Sequence, residues 1–136
     1  MADMSWATFI ARYPAAHLIA GVLPEKEGGG AKLRRRLDLL GRLLKQFRLD
    51  GAYALVIDRE GSRPEIHCAF EREADARRVG QALLADITDR YRGWNSQRTF
   101  SLDAHTARAI KSALHESARQ RSLGAFSLNT PGRPLR

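Results

Sequence analysis

Polar and apolar residues alternate from Glu65 to Phe70, which places Ile66, Cys68 and Phe70 on one face of a strand. The period then changes without an intervening loop. From about Arg72, Ala76, Val79, Leu83 and Ile87 recur at helical spacing and predict an amphipathic helix that ends near Ile87. Upstream, Trp6, Phe9, Ile10 and Tyr13 stand at i, i+3, i+4 and i+7. With Asp3 or Ser5 as cap they predict a short helix over residues 5–13, closed by Pro14. Its aromatic stripe reads as packing on its own domain, with a docking face for a partner as the alternative. The apolar run from Ala16 to Leu23, bounded by Pro14 and Pro24, has the length of a strand buried on both faces.

Pro24 to Gly30 forms a connection, after which the clearest helix runs from Ala31 to about Phe47. Leu33, Leu37, Leu40, Leu44 and Phe47 make its apolar stripe, widened by Leu39 and Leu43, and Gly41 loosens its middle. Asp50-Gly51 signals a turn, Ala52 to Ile57 a strand, and Glu60 to Pro64 the turn of a hairpin with the strand at 65–70. Residues 88–97 read as a loop and Arg98 to Leu102 as a strand. Asp103 caps a last helix carrying a narrow stripe of Ala107, Ile110, Leu114 and Ala118.

The order strand, helix, strand, strand, helix, strand is the split βαβ arrangement called ferredoxin-like. The expected fold is therefore α+β: a four-stranded antiparallel sheet, both long helices on one face, and one helix added at each end. Residues 1–121 form a single domain and residues 122–136 a basic tail without regular structure. A chain of 136 residues that is 43% hydrophobic and 28% charged supports one such core.

Charge changes the picture more than composition does. Lys and Arg number 23 against 15 Asp and Glu, a net charge of +8, which favours phosphate, acidic protein surface or anionic lipid as a partner. Cys68 is the only cysteine, so no intramolecular disulfide forms and Cys-rich zinc sites are excluded. The first residues lack a basic segment followed by an apolar run, and no stretch reaches the ~20 apolar residues that span a bilayer. A reducing, cytoplasmic setting without membrane contact is expected.

Candidate catalytic groups do not assemble in the sequence. Gly28 to Gly30 precede Lys32, but Leu33 follows where a phosphate loop carries Ser or Thr, and Glu25 and Glu27 repel phosphate. His67 and Cys68 are adjacent on a strand and point to opposite faces. His115-Glu116 opens like a metalloprotease helix, yet Arg119 stands where the second ligand belongs. No catalytic residue, metal or cofactor is assigned, and the chain is read as a non-enzyme.

The RNA-recognition motif shares the expected fold and stacks bases on third-strand aromatics. Here Glu65 and His67 occupy those positions and Ile19 the first-strand one, so only His67 could stack.

Two other features suit polyanions. On the long helix, Arg34, Arg35, Arg42, Lys45 and Arg48 share the outward arc with Asp38 as its only acid. In the loop, Tyr91 and Trp94 interleave with Arg90, Arg92 and Arg98, offering ring faces and charges together, with Trp94 as a lid over the helix and strand ends as the alternative.

The function expected is a small basic protein that contacts nucleic acid mainly through phosphates, using Arg34, Arg35, Arg42, Lys45, Arg90, Tyr91, Arg92, Trp94 and Arg98. The alternative is a protein-interaction module, an accessory or inhibitor of a mobile element or a homodimeric adaptor, meeting an acidic partner. A third class is a small enzyme with a phosphate loop after its first strand. Either a monomer or a homodimer fits.

Overall fold

The computed structural model describes residues 4–24, 30–61, 63–88 and 94–122. Helix α1 spans Trp6–Arg12, and Ser5 caps it by accepting the Thr8 N–H at 3.4 Å. Strand β1 is His17–Val22, helix α2 is Gly30–Gln46, and the hairpin consists of β2 at Tyr53–Asp58 and β3 at Glu65–Phe70. Helix α3 covers Glu73–Ala82, strand β4 Asp86–Thr88, strand β5 Ser96–Ser101 and helix α4 Ala104–Ser122. Asp103 caps α4 as expected, accepting the Thr106 N–H at 2.8 Å.

The α+β class holds, but the sheet is not the four-stranded antiparallel one. It is a mixed sheet of five strands in the order β2-β3-β1-β5-β4. β1 pairs antiparallel with β3 and parallel with β5, and the β2–β3 and β4–β5 pairs are antiparallel.

The difference starts at the end of α3, which stops at Ala82 instead of running to Ile87. Leu84 takes the left-handed conformation (φ 56°), its N–H donates to the Gln81 carbonyl at 3.2 Å, and the Ala85 N–H donates to the Gly80 carbonyl at 2.8 Å. This paired closure is the Schellman cap, here with leucine at the position glycine usually fills. The cap redirects residues 86–88 into a short edge strand, and the returning β5 therefore meets β1 from the opposite end, parallel to it.

Register sorts side chains onto two faces. Ile19, Cys68 and Leu55 form one cross-strand row, with Ile66, Phe70, Tyr53 and Phe100 on the same side. These residues form the main core with Leu33, Leu40 and Leu44 of α2, Ala76 and Val79 of α3, and Ile110 of α4. Ala107 and Leu114 pack at its border, so the α4 stripe lies on the α2 and α3 side.

Arg36 is buried there and donates to the Leu102 carbonyl at 2.7 Å, which ties α2 to the entry of α4. The opposite face carries the fully buried partners Ala54 and Ala69, and α1 closes on them with Phe9, helped by Trp6, Ile10, Tyr13 and Trp94. The α1 stripe is thus packed on its own domain. The expected tail lies outside the described residues apart from Ser122, which ends α4.

Cys68 sits 1% exposed in the main core, and burial pushes its thiol pKa up to about 12. The native protein should react only slowly with a thiol reagent, because little thiolate forms and access is closed. Cys68→Ser should cost about 1–3 kcal/mol in a denaturant titration, since it buries a hydroxyl among apolar neighbours. Rapid native labelling would instead place Cys68 on an open face.

Candidate nucleic-acid interface

Helix α2 turns one arc to the core and the opposite arc outward. Leu33, Arg36, Leu39, Leu40 and Leu44 are buried, while Arg34, Arg35, Asp38, Arg42 and Lys45 are exposed. At 100° per residue, Arg34, Lys45, Arg42 and Arg35 fall within an arc of about 100° that also holds Asp38. None of the four pairs with an acid among the described residues.

The ridge continues to Arg48, whose left-handed backbone (φ 52°) follows the helix end. Arg78 of α3 fastens that end by donating to the Phe47 carbonyl at 2.6 Å, with its guanidinium 5.8 Å from the Phe47 ring centre. Beside it lies a shallow depression of about 220 Å³ lined by Leu44, Lys45, Arg48, Leu49 and Tyr53.

The other candidate residues are not brought to this ridge. Arg90, Tyr91 and Arg92 lie outside the described residues. Trp94 is half-buried on the α1 side of the sheet, its ring centre 6.1 Å from that of Trp6, and so faces away from α2. Arg98 shares the helix-covered side with Ile19 and is buried under α3, where Gly80 makes room for it. A Cβ on Gly80 would stand 2.7 Å from Arg98 Cδ. Arg98 consequently works as a packing arginine, its stem filling the gap beneath a glycine.

The stacking position of an RNA-recognition sheet is covered as well. His67 lies beneath α1, 6.4 Å between ring centres from Trp6. Its Nε2 is 2.8 Å from Glu65 Oε1 and 3.7 Å from Asp58 Oδ2. The three side chains share the α1 face because Asp58 and Glu65 are direct cross-strand partners and His67 is two residues further along β3. Sequence spacing alone does not reveal this group, since Asp58 joins it only through the hairpin register.

Of the remaining histidines, His105 and His115 are exposed on α4. His17 Nδ1 lies 2.8 Å from Ser96 Oγ across the parallel β1–β5 pair. Burial holds the His17 pKa below the usual imidazole range, with Glu73 opposing the shift and Arg98 adding to it. Among the described residues, no helix is long and apolar enough to cross a membrane. Set against known proteins, the chain has no significant match to a family model, a curated protein or a solved structure.

Proposed function

We propose that the chain is a nucleic-acid-binding protein that grips phosphates with the outward arc of α2. The observation that carries this reading is the set of exposed cations Arg34, Arg35, Arg42 and Lys45 on one helix face, none of them in an ion pair among the described residues and with Asp38 the one acid between them. A rigid helix presenting point charges to a polyanion gains affinity chiefly by releasing counterions, with no need for a shaped base pocket.

The test is fluorescence anisotropy with single- and double-stranded oligonucleotides of unrelated sequence, at about 50 and 200 mM salt. The wild type should bind all of them and weaken steeply with salt. Arg35→Gln/Arg42→Gln/Lys45→Gln should weaken binding across sequences and flatten the logarithmic salt slope by roughly one unit per lost phosphate contact. A charge-matched control, Arg12→Gln/Arg59→Gln/Arg72→Gln, removes three exposed cations elsewhere and should leave most of the slope. Absence of wild-type binding at about 50 mM salt and a protein concentration of order 10 μM ends the reading.

A second reading, contact with a protein, is favoured by Leu84 and Ile87, which are 85% and 73% exposed next to the β4 edge. Apolar side chains beside the edge strand of a sheet suit strand addition by a partner.

A further inference from the structure

We propose that Asp58, Glu65 and His67 form a binding site for one divalent transition-metal ion on the α1 face of the sheet. The inference is independent of the α2 ridge, which lies on the other side.

The first argument is electrostatic. Asp58 and Glu65 are paired directly across β2 and β3, and each is only about a third exposed. Like charges placed opposite one another on a sheet repel, and partial burial removes much of the water that would screen them. A cation between them turns that repulsion into attraction.

The second argument is geometric. One donor atom from each of the three residues lies within 4.8 Å of the others. Two donors each about 2.1 Å from a shared ion stand roughly 3.0–4.2 Å apart. The His67–Asp58 separation of 3.7 Å falls in that range, and the 2.8 Å His67–Glu65 contact needs to open by only a few tenths of an ångström. Rotation about the Glu65 side chain supplies that movement.

The third argument is positional. The donors stand on two adjacent hydrogen-bonded strands, and Trp6 packs near the imidazole, so the set is held by the sheet. Ala20 and Val22 of β1 lie beside His67 and Glu65 in register, and neither side chain competes as a donor.

One imidazole nitrogen with two carboxylates is a borderline donor set that suits Zn²⁺, Mn²⁺, Fe²⁺ or Co²⁺ over Ca²⁺. Three protein donors leave at least one position of a four- to six-coordinate ion open to water or a substrate oxygen.

Co²⁺ and Zn²⁺ are the probes, titrated into chelator-treated full-length protein. Calorimetry should give one equivalent, Co²⁺ should develop visible absorption bands from a protein ligand field, and the His67 ring protons should shift selectively in NMR. Asp58→Asn and His67→Gln should each weaken affinity at least about tenfold. Circular dichroism checks that both variants fold, and Asp58→Asn keeps the test valid if His67→Gln loosens the packing against Trp6. The proposal is overturned by the absence of binding up to about 1 mM metal, the weak end of specific divalent sites. It is equally overturned if both folded variants bind like the wild type, which would assign the ion to other histidines.

Discussion

Asp75→Ala should destabilise the protein by about 3 kcal/mol in a denaturant titration. Asp75 is 1% exposed in the first turn of α3, and its two oxygens accept the Gly51 N–H at 2.9 Å and the Asp50 N–H at 3.2 Å. Together with Glu71, which accepts the Ala52 N–H at 2.9 Å, it holds the turn that launches β2. Removing the carboxylate takes away the acceptor of two backbone donors, one of them buried, and losing the acceptor of a buried donor costs about 1–3 kcal/mol. The favourable position of an anion at a helix N-terminus is lost as well. Asp75→Asn should cost less, because its amide oxygen still accepts one bond while its NH₂ meets a second donor. A loss for Asp75→Ala within about 0.5 kcal/mol would mean that water replaces the carboxylate at the turn.

Ile110→Asp should be at least as damaging, costing about 4 kcal/mol or more and leaving little folded protein. Ile110 is buried between α4 and the main core, so the substitution either buries a charge or pulls α4 away. Ala109→Asp, one residue earlier on the exposed face, is the matched control and should stay within about 0.5 kcal/mol. Equal stability of the two variants would show that α4 is an appendage instead of a wall of the domain.

Local periodicity was enough to place most elements. Alternation at 65–70, the Leu33 to Leu44 stripe and the Asp103 cap all rest on neighbours close in sequence, and each appears where expected. The end of α3 was illegible because its left-handed cap falls on Leu84, with no glycine to announce it. Ile87 extended the helical period by coincidence, and the three-residue β4 is too short to show an alternation of its own. From that one misplaced boundary came the wrong strand count and the wrong direction at the β1 edge.

Candidate residues divide along the same line. The α2 arc was readable because side-chain direction on a single helix follows from 100° steps. Arg98 was not, because its burial depends on Gly80 in a different element. Trp94 was not, because α1 decides which face of the sheet accepts it. The Asp58, Glu65 and His67 group required the pairing register of two strands before the three residues became neighbours.

The parallel pairing of β1 with β5 also sets a timetable for biosynthesis. His17 and Ser96 are register partners 79 positions apart, so one edge of the central strand has no mate until most of the chain has been made. At roughly 5–20 residues per second, a ribosome would leave that edge open for about 4–16 s after β1 emerges, long enough for the β2–β3 hairpin to dock on the other side. Completion of the sheet is then gated by the last pair of strands. Folding should consequently be slow for a domain of this size, as non-local pairings demand, and a nascent chain halted before β5 should offer β1 to chaperones or to strands of other chains.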